Sequence, residues 1–111
     1  MPAEPPSRKA DYTVKNVETV FRGKDVVARI FTLAPGEVIP WHTHSKVTDD
    51  FFVLSGELTM EARGAGERRI LAVGERCQIA PGEAHQTSNQ GTTDCRFLLL
   101  QGGGEYDWIK S

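Results

Sequence analysis

No stretch of this 111-residue chain approaches the roughly 18 consecutive apolar residues of a membrane span. None shows the recurrence of apolar side chains that marks an amphipathic helix. Positive charge is not in excess: 13 Lys and Arg stand against 15 Asp and Glu, for a net charge of -2. With no basic face to neutralise phosphates, neither nucleic acid nor a membrane is an expected partner. Cysteine is scarce, and Cys77 and Cys95 do not form a C-x-x-C pair, so zinc-ribbon and thioredoxin-type readings lose their support. The opening residues MPAEPPSRKADY hold no apolar stretch of the kind a secretory signal needs. The cytoplasm is therefore the expected compartment, and both cysteines are expected to be reduced, buried small hydrophobes. Histidine is scarcer than its chemistry would suggest: His42, His44 and His85 are all there are.

What the chain does have is strand pattern and turn residues. TVKNVETVF and DVVARIFTL read as strands rich in β-branched and aromatic residues, parted by the turn Arg22-Gly23-Lys24. In the second, Val27, Phe31 and Leu33 share a face with Arg29, which predicts incomplete burial or an arginine looking into a polar cavity. Pro35-Gly36 turns the chain into VIPWHTH. DDFFVL and ELTMEAR flank Ser55-Gly56, read as a short hairpin. RRILAV, RCQIA, AHQTSN and DCRFLLLQ follow, with turns at Gly64-Ala65-Gly66, Gly74-Glu75 and Pro81-Gly82. The expectation is an all-β single domain, with an antiparallel β-barrel favoured because closure removes sheet edges and makes a lined interior. Residues 1–11 read as a Pro-rich flexible arm, 12–101 as the barrel, and 102–111 as a tail. Its Trp108 and Ile109 would be out of place in water, so the tail is expected to dock on the barrel or on a partner subunit.

His42 and His44 lie two apart in a strand-like stretch, so both point to one face, about 6.6 Å apart along an ideal strand. His85 follows the turn Ala80-Pro81-Gly82, from which a second strand could return it to the first pair. Two or three imidazoles on one face can share an ion.

These positions resemble the motifs of the cupin superfamily. Gly36, His42, His44 and Gly56 fit the first motif, and counting back from Gly56 puts Asp49 where the family usually has glutamate. Gly74, Pro81, Gly82, His85 and Asn89 fit the second, with Ala80 in place of the usual proline. The resemblance spans residues 36–89. It implies a small jelly-roll barrel holding one divalent transition-metal ion (Fe, Mn, Ni, Zn or Cu) on His42, His44, His85 and Asp49. Asp49 is one methylene short of glutamate, so it is either a ligand or a base beside the ligands. The resemblance also implies a homodimer.

The function expected is a metal-dependent enzyme acting on a small polar or anionic organic molecule. Oxygenase-like chemistry is favoured over isomerisation or decarboxylation, since no general base stands out beyond the ligand set. A non-catalytic module that binds or senses a small ligand is the alternative. Arg29, Lys46 and Gln86 are the polar side chains to look for beside an anionic ligand. Trp41, Phe51, Met60 and Phe97 are expected in the core, and Asn89 at a turn.

Overall fold

The structure, a computed structural model, describes residues 12–64 and 68–111. The Pro-rich arm and most of the Gly64-Ala65-Gly66 turn lie outside the described residues. Ten strands follow one another, with no helix among the described residues: β1 (Asn16–Arg22), β2 (Val26–Leu33), β3 (Val38–Thr43), β4 (Thr48–Ser55), β5 (Leu58–Ala62), β6 (Arg69–Leu71), β7 (Arg76–Ile79), β8 (His85–Ser88), β9 (Cys95–Gly102) and β10 (Ile109–Lys110).

Two five-stranded sheets face each other, one in the order β1-β2-β9-β4-β7 and the other β10-β3-β8-β5-β6. Every pairing is antiparallel. The all-β jelly roll is as the sequence predicts, but hydrogen bonding does not run round the molecule as a closed ring. Three of the four edges are blunted by brevity instead: β10 has two residues, β6 three and β7 four, whereas β1 has seven.

Period-two alternation places the core. In β9, Cys95, Phe97, Leu99 and Gln101 point inward while Arg96, Leu98 and Leu100 point out. Phe97 is fully buried, stacked on Phe31 at 5.3 Å between centroids and tilted against Phe51 at 5.6 Å. Leu33, Leu58, Met60 and Leu71 close around them. Cys77 and Cys95 are buried free thiols. Trp41 is not core: it is half-buried, with the Arg63 guanidinium 4.7 Å above its ring.

The Ser55-Gly56 turn is also not a hairpin. β4 pairs with β9 and β7, whereas β5 pairs with β8 and β6, so at this turn the chain crosses from one sheet to the other. Gly56 makes the crossing at φ +76, and a Cβ on it would lie 2.5 Å from the carbonyl oxygen of Asp94. Only glycine tolerates both.

Candidate metal centre

One sheet carries the three histidines and the other the acid. His42 on β3 lies directly across from His85 on β8, and the two rings are 4.3 Å apart between centroids. The β3–β8 ladder slips between Ile39 and His42. Pro40, which has no N–H to give to the ladder, sits in that slip. His44 follows the end of β3, its ring centroid 4.8 Å from that of His42. Asp49 comes from β4 in the facing sheet. One potential ligand atom from each of His42, His44, Asp49 and His85 lies within 4.8 Å of the others, and all four residues are buried. Asp50 points outward to Arg76 at 2.8 Å, as strand alternation predicts.

Each imidazole is held from behind by a backbone carbonyl. His42 Nδ1 donates to Pro40 O at 2.7 Å, His44 Nδ1 to Asp107 O at 2.5 Å, and His85 Nδ1 to Glu83 O at 3.0 Å. A carbonyl oxygen can only accept, so the proton sits on Nδ1 in each ring, and each Nε2 is left facing the centre. Two of these, on His44 and His85, are each 3.1 Å from the same oxygen, Asp49 Oδ2. The other oxygen, Oδ1, accepts from Gln101 Nε2 at 2.9 Å, and Gln101 Oε1 accepts from Arg29 Nη2 at 3.0 Å. That second bond fixes which way the Gln101 amide is turned.

Electrostatics follow from this packing. Burial raises the Asp49 carboxyl, but the His44 and His85 hydrogen bonds and charges outweigh it and hold the group below the ordinary carboxylate range. Burial and the neighbouring His85 push His42 down to about 3. His44 is also lowered by burial, but the bond to Asp49, its charge and the Asp107 carbonyl bring it above its ordinary value. Burial raises the Tyr12 phenol to about 12 and the Tyr106 phenol higher still.

A cavity adjoins His42, His44 and Asp49, walled by Phe31, Ile39, Phe51 and Leu99 together with Arg29 and Gln101. Its outer wall is made by Tyr12, Tyr106 and Trp108. Arg29 does look into this interior, with its guanidinium 5.5 Å from the Tyr106 ring. Lys46 and Gln86 do not reach it: Lys46 is exposed and Gln86 bonds Glu61 at 3.0 Å on the outside. Asn89 is fully buried and ties its own loop, donating to Leu33 O and Thr93 O and accepting from the Gly91 N–H. Sequence reasoning missed Tyr12 and Tyr106. Their one signal is that they are the only tyrosines, set in the polar stretches at either end of the strand pattern.

A family described as "Cupin domain" matches residues 29–101. None of the curated proteins matches the chain in sequence. Among solved structures, a conserved protein with a double-stranded β-helix domain from Klebsiella pneumoniae has a TM-score of 0.73 at 21% identity, over 98% of this chain and 97% of that one. KdgF from a Halomonas species has a TM-score of 0.74 at 19% identity, over 88% and 90%. The DMSP lyase DddQ from Ruegeria pomeroyi has a TM-score of 0.71 at 22% identity, over 80% of this chain but 44% of the lyase. These likenesses are in fold.

Proposed function

The chain belongs to the cupin family, and from that premise we propose that His42, His44, His85 and Asp49 hold one divalent transition-metal ion that acts on a small polar or anionic organic molecule. The direction of the three rings carries this reading. With every Nδ1–H spent on a carbonyl, two nitrogen lone pairs confront one carboxylate oxygen at 3.1 Å. Such an arrangement repels itself unless a cation, or a proton standing in for one, lies between. Two donors about 2.1 Å from one ion and at right angles would be about 3.0 Å apart, which the observed spacing fits. Nitrogen and oxygen donors in this mixture suit iron, manganese, nickel, zinc or copper.

A bound ion would supply Lewis-acid polarisation of a substrate oxygen and, for a redox-active metal, activation of dioxygen. The chain's own residues supply the setting. Gln101 holds the carboxylate of Asp49 in place and is itself held by Arg29. Arg29 puts a positive charge in the wall where an anionic group of the substrate would lie. Phe31, Ile39, Phe51 and Leu99 keep water from the inner side. Tyr12 and Tyr106 stay protonated at neutral pH and cannot serve as bases. Arg29 cannot either. The lack of a free base among the described lining residues favours dioxygenase-like oxidoreductase chemistry over isomerisation or decarboxylation.

In the same proposal the protein is a cytoplasmic homodimer. The outward face of the β1-β2-β9-β4-β7 sheet carries an apolar strip: Leu98 lies between Ile30 and Phe52, and Leu100 between Ala28 and Asp50, with Phe21 60% exposed at the margin.

Elemental analysis of untagged protein tests the metal, with about one ion per chain expected and its loss in His44→Ala. A full complement in that variant would place the ion elsewhere. Oxygen uptake with a panel of small carbonyls, phenols and thiols tests the chemistry. Micromolar binding without oxygen consumption or product would make the protein a ligand-binding module.

A further inference from the structure

Little room is left in the cavity that a substrate would have to enter. The volume in which the centre of a water molecule fits is about 20 Å³, enough for a water or two and for no organic molecule. The space is taken by the end of the chain. After Gly102, Gly103 and Gly104 the backbone crosses the mouth of the cavity. The Trp108 ring stacks on His42, 4.8 Å away and 16° from parallel, and meets Tyr12 at 5.9 Å. The Tyr106 ring lies 5.2 Å from His44. Between them, Asp107 accepts the His44 Nδ1 proton at its carbonyl. Its carboxylate accepts from the Ser45 N–H at 2.8 Å and from the Ser45 hydroxyl. Beyond the crossing, Ile109 and Lys110 pair with Thr43 and His42 as a two-residue strand.

We propose that residues 103–108 are a gate over the site, swinging about the glycines at 103 and 104, with Tyr106 and Trp108 as the residues that select ligands by size. This rests on the proposed metal-site reading, because it takes the cavity as the place where substrate binds. Three observations favour movement of this segment over movement of the walls. A hinge is available just past the end of β9, where Gly103 sits at φ +96 and Gly104 follows it. The hold is local, consisting of the Ser45 latch, the His44–Asp107 bond, three ring contacts, the Arg29 guanidinium on Tyr106 and a two-residue strand followed by the Ser111 N–H on Trp41 O, while the walls are β2, β3, β4, β8 and β9 of the two sheets. The gate also touches the chemistry, since opening it takes away the carbonyl that fixes the tautomer and ring angle of His44. Entry of a ligand and the set of an imidazole are thereby tied to one segment.

Hydrogen exchange on the metal-free full-length chain tests the opening directly. The amides of residues 105–110 are expected to exchange at least about tenfold faster than those inside β3 and β8, by a local opening. Exchange only in step with global unfolding would overturn the gate. Co2+, followed by its visible absorption, then probes access. Thr43→Cys with Ile109→Cys places a crosslink across two paired residues, whose Cα atoms in such a ladder are about 4.5–5.5 Å apart and within disulfide reach. Transfer of Co2+ to an added chelator should slow about tenfold or more in the oxidised form and recover on reduction. Ser45→Ala should speed it severalfold. Equal rates in oxidised and reduced forms would overturn the gate. Failure of the wild-type chain to bind Co2+ would instead remove the metal reading, and the exchange result would then decide the gate by itself.

Discussion

Acidification should strip the stabilising effect of a bound ion from this protein, through His44. In the metal-free fold that imidazole is raised above its ordinary value of 6.5 by Asp49 and by the Asp107 carbonyl, which outweigh its burial. A raised histidine adds stability that is fully present below the ordinary value and fades as pH climbs through the folded value. Asp49, lowered, adds stability above the ordinary carboxylate value of 3.8 and loses it as pH falls through its folded value. His42, lowered to about 3, opposes folding as pH drops below 6.5, because the unfolded chain takes up a proton that the fold refuses. Comparing loaded with metal-free protein at the same pH cancels the unfolded chain and His42, which is neutral in both folded forms. His44 contributes a proton that an ion must displace. Below pH 6.5 displacing that proton costs up to a factor of ten in affinity per pH unit, or about 1.4 kcal/mol. From pH 6.5 to pH 5 the increment in stability conferred by saturating Zn2+ should therefore shrink by up to about 2 kcal/mol. In a chain of this size that is about 8 °C in Tm. Thermal melts with and without Zn2+ across this range measure it. An increment that is flat from pH 5 to 6.5 would refute the displacement of that proton and with it the placing of an ion against His44.

Two further outcomes can be measured on the fold. Gly56→Ala should cost more than about 1 kcal/mol in urea unfolding, from the positive φ and the carbonyl of Asp94 that a methyl would strike; an unchanged midpoint would contradict the crossing geometry. Light scattering at micromolar concentration should give the mass of a dimer for the wild type and of a monomer for Phe21→Glu with Leu98→Glu, which put charge on the outer apolar strip; a monomeric wild type would remove the dimer.

The meeting of the three imidazoles was legible because period two is a strong rule: once β3 is a strand, His42 and His44 share a face, and the Pro81-Gly82 turn brings β8 alongside. Arg29 was legible for the same reason, as a charge at an inward position in an otherwise apolar row. Ser55-Gly56 was not, because the same two residues can turn a hairpin or pass a chain between sheets, and the choice is made by β9 and β8, far away in sequence. Gln86 fell outside the cavity because the residue after His85 in β8 faces the other way, and Lys46 because it lies in the exposed bend between β3 and β4. Tyr12 and Tyr106 lie outside any periodic stretch, and only the fold brings these two residues together over one hollow.

The division of the four donors, three rings on one layer and a single carboxylate on the other, gives an ion held there a mechanical part as well as a chemical one. It would rivet the layers together, and its bite would depend on how thick the filling between them is. An added methylene at Leu33 or Val53, some way from any donor, would pry Asp49 from the rings and weaken the grip, while changes confined to one layer's outer surface would leave it alone. Tuning of such a centre is thus open to residues that never touch it.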